Sequence, residues 1–385
     1  ATVTSNSITL NWPTHTNVTG YTVYRKLKGG TTWGNSVATL GSSVNQYVDN
    51  SVSQNTSYEY KVVRTTANLG TGYGYINSGI NMATELGQLE QDLIGEGWDV
   101  IRHDVSRNAS VSSVKSLIVN DYNSNPNVKA VFLIGHVPVP YSGNLNPDGH
   151  SDHKGAWSTD TYYGEINGIW TDNSVNNTTS AWSRNHNIPG DGKFDQTVIP
   201  TEMELMVGRV DMFNMPSFSS NETILLGNYL TRLHSWKSKY LIADFKGLVD
   251  DNFTGLAEGY AQNAWRGMAP LVYRTNLTSS DYFGTLASQS RMWSYGCGGG
   301  TFTNANGIGN TAQFASTPVN TIFTMLFGSY FGDWDNQNNL LRAPLASGGA
   351  LASFWAGYPT WFIHHMGLGE ILGYITILTQ NNTNH

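Results

Sequence analysis

MWSYGCGGG at residues 292–300 and IFTMLFGSYFGDWD at residues 322–335 decide the fold of this chain. Each stretch is an apolar run that ends abruptly in glycines and small polar residues, which is typical of a buried parallel strand. In open α/β sheets, ligands bind at the carboxyl ends of such strands. The two stretches therefore predict two strand ends at one edge of a sheet, and that edge is the main candidate site.

The elements around these stretches alternate between helix and strand. A doubly wound, mostly parallel α/β sheet is therefore expected over residues 81–385, interrupted by a long polar insertion at about residues 142–197. Tyr75–Ile80 is a weak candidate for its first strand. Predicted helices are Met82–Ile94, Val111–Tyr122, Glu222–Tyr240, one running through Trp265, and Trp361–Thr379; predicted strands are Asp99–His103, Val128–Gly135, Glu204–Val210, Lys246–Asp251 and Gly349–Phe354.

Residues 1–80 have the period-two alternation of β-strands. The run Ser7–Trp12 alternates polar and apolar residues, and Gly20–Arg25 and Thr56–Val63 continue the pattern. These motifs resemble the Trp strand, the third strand and the tyrosine-corner strand of a fibronectin type III domain. Such domains begin with a strand before the Trp strand, whereas this chain starts almost at it. We therefore expect either an excerpt of a longer polypeptide or an edge completed by another element, and a spacer role for this domain.

Composition bounds the function. Charged residues make up 13% of the chain, about half of the usual share, and the net charge is −7 with no Lys/Arg cluster, so nucleic-acid binding is not expected. The single cysteine, Cys297, excludes an intrachain disulfide and favours an exported bacterial protein. No apolar run is long enough for a membrane-spanning helix. The chain is therefore expected to be secreted, at the cell surface or extracellular.

Two motifs in the polar insertion have the spacing of metal ligands. Asp191 and Asp195 flank a glycine at a four-residue spacing, as in calcium loops, so they are a candidate Ca²⁺ site; a solvated turn is the alternative. His150 and His153 have the spacing of zinc ligands, but nothing nearby supplies a convincing third ligand.

The order of motifs from Val128 onward resembles the gingipain-like cysteine peptidases, which have a caspase-like α/β fold. The matching pieces are Val131–Gly135, Ser158–Gly164, Met206–Arg209 and the two stretches quoted first. A fibronectin type III domain followed by such a domain also resembles a group of uncharacterised exported bacterial proteins.

The resemblance assigns positions to a catalytic set. In the peptidases the first stretch supplies the catalytic His, the second supplies the Cys before a Gly-Asp pair, and an upstream Asp orients the His. Here Cys297 stands at the His position, Ser329 at the Cys position, and Asp251 or Asp250 matches the acid. Neither Cys297 nor Ser329 provides the other with a base, so the ordinary peptidase mechanism is not expected.

One hypothesis is a pseudo-peptidase that acts in binding or assembly, in a structural, adhesive or filament-forming role. Its partner would be a protein or glycan surface, or a second copy of the chain. Aromatic and amide side chains suit such contacts, and a loop packed for stability is the alternative. The predicted recognition residues are Tyr330, Asp333, Trp334, Asp335, Asn336 and Asn338.

A second hypothesis is a hydrolase in which Cys297 is a rewired nucleophile. Backbone N–H groups of Gly296 and of residues 298–300 would form an oxyanion hole. A base would come from His136, His150 or His153. The alternative is a buried structural cysteine.

Overall fold

The computed structural model describes residues 1–14, 18–28, 30–66, 82–254, 259–356 and 361–382. The chain forms two compact units, Ala1–Tyr73 and Gly74–His385. The domain boundary predicted near residue 80 and the weak strand candidate Tyr75–Ile80 lie outside the described residues.

The first unit contains two three-stranded antiparallel sheets. Trp12 and Tyr21 link them, with ring centroids 5.2 Å apart, and the buried carboxylate of Asp49 accepts hydrogen bonds of 2.8 Å from Arg25 and from the Tyr60 hydroxyl. The sheets have the strand orders β1-β2-β5 and β4-β3-β6, with β1 (Thr2–Val3), β2 (Ile8–Asn11), β3 (Val18–Leu27), β4 (Ser36–Gly41), β5 (Gln46–Asp49) and β6 (Tyr58–Thr66).

The second unit is an α/β structure. Its elements are α1 (Ala83–Gly95), α2 (Val111–Ser124), β7 (Ala130–Ile134), β8 (Tyr141–Leu145), β9 (Gly155–Ser158), α3 (Thr161–Gly164), β10 (Met206–Val210), α4 (Glu222–Lys237), β11 (Gly247–Asp251), α5 (Gln262–Val272), β12 (Leu277–Ser279), α6 (Tyr282–Leu286), β13 (Arg291–Cys297), β14 (Gly300–Thr301), β15 (Asn304–Ala305), β16 (Gly309–Asn310), α7 (Thr311–Ser316), β17 (Thr321–Phe327), α8 (Ala343–Ala346), β18 (Ala352–Trp355) and α9 (Leu372–Gln380).

The main sheet of this unit has five strands in the order β12-β11-β13-β17-β18, and every neighbouring pair is parallel. Its two faces are covered by different apolar clusters. In β17, for example, Leu326 belongs to one cluster and Phe327 to the other. Burial on both faces explains why the sequences of β13 and β17 are nearly continuous apolar runs.

Three predictions about elements differ from the structure. Residues 99–103 form no strand; Arg102 binds Glu90 on α1 and His103 binds Asp121 on α2, so their side chains are used in surface ion pairs. β7 and β10 pair in a separate two-stranded parallel sheet. The closing helix is split into a 3-10 helix, Ile363–Leu368, and α9, because Gly369 takes a left-handed conformation with φ of +96°.

None of the helices in the described part of the chain combines the length and the apolar character that crossing a bilayer requires.

Candidate functional site

Three predicted positions meet at the carboxyl edge of the main sheet. Residue pairing between β11 and β13 places Asp251 beside Cys297, and pairing between β13 and β17 places Cys297 beside Phe327. Ser329 follows two residues after that strand end. The edge predicted from the two apolar stretches is therefore present, and it carries two chemically different groups.

Cys297, at the end of β13, is buried next to a carboxylate. Its side chain is fully buried, and its thiol donates a 3.2 Å hydrogen bond to Asp251 Oδ1. Burial, followed by the hydrogen bond to the Asp251 carboxylate, raises the pKa of Cys297 to about 12. Cys297 is therefore a thiol at neutral pH, which does not suit the rewired-nucleophile hypothesis. Asp250 accepts a backbone hydrogen bond from Tyr282 at 2.8 Å, so Asp251 is the acid that faces the cysteine.

The Ser329 end carries an imidazole. His150, from the polar insertion, places Nε2 2.8 Å from Ser329 Oγ, and both residues are partly exposed. From the sequence, Ser329 is expected to lack a base, and His150 is expected as a zinc ligand or as a base for Cys297. The structure corrects this: the histidine is hydrogen-bonded to the serine. A nucleophile within hydrogen-bonding reach of a base is the geometry of an activated hydroxyl.

Tyr330 packs against the face of the His150 imidazole. Its ring stacks on the His150 ring with centroids 4.7 Å apart and an interplanar angle of 23°. Its backbone has φ of +68°, which is uncommon for a residue with a side chain. Such strained positions concentrate at functional sites. The turn directs the ring toward His150 and the backbone N–H toward Asp148 Oδ2, at 3.0 Å.

A buried ionic cluster lies beneath the Ser329–His150 pair. His153 Nδ1 is 2.7 Å from Asp148 Oδ2 and His153 Nε2 is 3.3 Å from Asp333 Oδ2. Asp333 also binds the Arg184 guanidinium and the Asn185 amide. Burial alone would lower the pKa of His153, but hydrogen bonds to the two carboxylates outweigh it and raise the pKa. The two carboxylates therefore favour the charged form of His153.

The predicted recognition residues belong to a packed loop. Asp333 is fully buried, so the prediction that it lies on a recognition surface is wrong. Trp334 lies between two guanidinium groups, 5.0 Å from Arg209 and 5.9 Å from Arg342. Asp335 Oδ2 accepts a 2.7 Å hydrogen bond from Tyr141.

The amides at the end of this loop also bind the protein. The Asn336 side chain donates to the Asp333 carbonyl at 2.6 Å, and Asn338 Oδ1 accepts from Ser217 N at 2.8 Å. These contacts favour the alternative in which the loop is packed for stability. The loop's role is then to hold Asp333 and Tyr330 beneath and beside the serine.

The glycine-rich segment after β13 lies against the serine backbone. The Gly298 N–H donates to the Phe327 carbonyl at 3.1 Å, so this expected oxyanion donor already has a partner. A Cβ built on Gly300 would lie 2.5 Å from Ser329 N and 2.4 Å from Ser329 O, which no side chain tolerates. Only glycine at position 300 therefore allows this close approach.

The candidate calcium residues have protein partners. Asp195 accepts hydrogen bonds from the Thr171 hydroxyl and from three backbone N–H groups, all within 3.1 Å. Asp191 accepts from Ile188 N and Lys193 N and pairs with the Lys193 ammonium at 3.4 Å. A calcium ion needs free carboxylate lone pairs, and here donors occupy them. The solvated-turn alternative therefore describes these residues better.

The histidines considered as zinc ligands or as a base for Cys297 also have other partners. His150 binds Ser329, His153 lies between two carboxylates, and His136 Nδ1 binds Asp211 at 2.8 Å. Within the described ranges, no three His, Cys, Asp or Glu side chains form a group suited to a metal ion.

Comparison with known proteins shows no family for this chain. No protein-family model matches the chain, and no curated protein does. One solved structure, called "Structure of Protease", is similar at 13% sequence identity and a TM-score of 0.48; the match covers 76% of this chain and 61% of that one. The chain thus spans less than two thirds of that protein's length. The functional proposals depend on the residues of the site.

Proposed function

We propose that the second unit is a serine hydrolase that cleaves an acyl substrate, with Ser329 as nucleophile and His150 as general base. The observation that carries the proposal is the 2.8 Å contact between His150 Nε2 and Ser329 Oγ on a partly exposed strand end. Cys297, the other nucleophile among the described residues predicted at this edge, does not suit the role, because it is buried against a carboxylate.

The reaction follows from the pair. His150 accepts the Ser329 proton while Oγ forms a bond to the carbonyl carbon of an ester or amide. The tetrahedral intermediate collapses by breaking the bond to the leaving group, which takes the proton from His150. Water then loses a proton to His150 and attacks the acyl-serine, which releases the acid and restores the hydroxyl.

The resemblance to gingipain-like peptidases supports the position of this site, although the residues at the catalytic positions differ. Family members place His and Cys where this chain has Cys297 and Ser329. The base then comes from the insertion instead of from β13. The five parallel strands with two covered faces support a doubly wound caspase-like arrangement.

The first unit is proposed to be a fibronectin type III spacer. The strand orders β1-β2-β5 and β4-β3-β6 and the packing of Trp12 on Tyr21 support that assignment. Secretion from a bacterium is proposed on the low charge content and the single cysteine.

A non-catalytic binding or assembly module is the competing proposal. The observation that favours it is the replacement of both peptidase positions, by Cys297 and Ser329. A pseudo-peptidase of this kind would keep the fold and bind a protein, a glycan or a second copy.

A fluorophosphonate probe distinguishes the two proposals without knowledge of the substrate, because it phosphonylates activated serines. The intact protein is expected to gain one adduct, located on Ser329 by peptide mass mapping, and S329A is expected to gain none. H150Q is expected to label about 10²–10⁴-fold more slowly, the usual contribution of a general base.

The matched control is H186Q. His186 lies in the same insertion but binds the Ser180 carbonyl, at 3.0 Å, so its variant is expected to label at the rate of the unmodified chain. A folded protein that gains no adduct on Ser329 excludes the hydrolase and leaves the binding module.

A further inference from the structure

We propose that Asp148 is a positioning residue that joins the nucleophile turn to the base loop. This inference rests on the proposed serine hydrolase. Asp148 Oδ2 accepts the N–H of Tyr330, the residue after Ser329, at 3.0 Å, and Asp148 Oδ1 accepts the N–H of His150 at 3.3 Å. One carboxylate therefore sets the distance between the two segments that carry the reacting groups.

The carboxylate has little freedom to move. The Asp148 side chain is fully buried, and Oδ2 also binds His153 Nδ1 at 2.7 Å. The opposite nitrogen of His153 is bound to Asp333, which is itself held by Arg184 and by Asn185. The polar atoms of Asp148 are thus fixed through a chain of buried ionic contacts to the loop after β17.

A carboxyl group fits these partners better than an amide. Two of the three groups around Asp148 are main-chain N–H donors and the third is His153 Nδ1, and a carboxylate is purely an acceptor. An amide in either orientation would turn its NH₂ group toward an N–H group, leaving buried donors unsatisfied. The third partner, the His153 imidazole, is itself buried against Asp148 and Asp333.

Asp148 differs from the acid of a Ser-His-Asp triad. In a triad the acid binds the imidazole Nδ1 and sets its tautomer. Here the contacts are to main-chain N–H groups of Tyr330 and His150. The expected effect of Asp148 is therefore on the distance and angle between Ser329 Oγ and His150 Nε2, and a misplacement of about 1 Å costs about 10²-fold in rate.

The test is the fluorophosphonate labelling of D148N, resolved into kinact and KI. We expect kinact to fall about 10²-fold with KI unchanged, because the probe still meets the same surface. D152N is the matched control: Asp152 lies in the same loop, is exposed, and its carboxylate accepts a hydrogen bond from the Tyr330 hydroxyl at 3.4 Å. Its kinact is expected to equal that of the unmodified protein.

Asp148→Glu keeps the charge and covers the case in which D148N does not fold. One added methylene displaces both oxygens, so folded D148E is also expected to lose kinact at unchanged KI. The alkylation rate of Cys297 in the same samples reports whether the β13 end is intact.

Equal kinact in the unmodified protein and in a folded D148N or D148E overturns the positioning role. A loss that appears wholly in KI does the same. If the unmodified protein is not labelled, the serine hydrolase proposal itself is wrong. Failure of the proposed function is therefore distinguishable from failure of the positioning role.

Discussion

Two neighbouring strand ends carry opposite environments in this protein. At the end of β13, Cys297 is fully buried and its thiol donates a hydrogen bond to the Asp251 carboxylate. At the end of β17, Ser329 is partly exposed and is bound to an imidazole. A free thiol is the stronger nucleophile of the two, yet it is the one whose pKa is raised, to about 12. The groups that surround a nucleophile, and not the strand that carries it, therefore decide which residue is suited to react.

Among the variants that compare the two strand ends, the largest effect is expected in the glycine segment that separates them. G300A places a Cβ 2.4 Å from Ser329 O, so the serine backbone must shift. Labelling of Ser329 by the fluorophosphonate is expected to slow by about 10²-fold. G299A is the control, because a Cβ there approaches only the Asn306 Cβ, at 4.0 Å. Equal rates for the two variants would contradict the placement of Ser329 in the reacting geometry.

A smaller effect is expected at the cysteine end. Asp251→Asn removes the charge next to the thiol while its oxygen can still accept from Phe253 N, a contact of 2.9 Å. The pKa of Cys297 then falls, and iodoacetamide is expected to alkylate the folded protein about tenfold faster at pH 8. Because Cys297 is the single cysteine, the intact mass reports the reaction directly. Fast alkylation of the unmodified chain near pH 6 would contradict this and would support Cys297 as a nucleophile.

The smallest expected effect is on the stability that the buried cluster around His153 contributes. The raised pKa of His153 means that it stabilises the fold fully below its unfolded pKa of about 6.5 and loses that contribution as pH rises through its folded pKa. The facing groups are Asp148 and Asp333, with Arg184 bound to Asp333 and with Trp157, Trp182, Phe302 and Tyr330 as aromatic neighbours.

Burial would raise the pKa of Asp333, but hydrogen-bond donors, first among them His153, outweigh it and lower the pKa. The contribution of Asp333 to stability is therefore lost as the pH falls. The Tm of the second unit is therefore expected to fall by about 2–4 °C from pH 6 to pH 9, and this slope to flatten in H153Q. Calorimetry across that range measures both. A Tm that rises over the same interval would show that His153 is not held as a cation.

Much of the framework was predictable from local patterns. The apolar runs of β13 and β17 and the helical spacing of α1, α2 and α4 follow from residue order. The strand at residues 99–103 was mispredicted because its alternation is short and its charged side chains bind neighbouring helices. Asp333 was wrongly placed on a recognition surface because aromatic and amide side chains occur both in packed loops and on binding surfaces.

The sequence by itself determined the elements, the edge of the sheet and the single cysteine, since these depend on periodicity and composition within short windows. Only the tertiary structure decided that His150 meets Ser329 across 179 residues, and that Asp148 joins their backbones. Such contacts depend on how a long insertion folds back onto a sheet edge. No local pattern encodes that closure, because many loop paths satisfy the same sequence spacing.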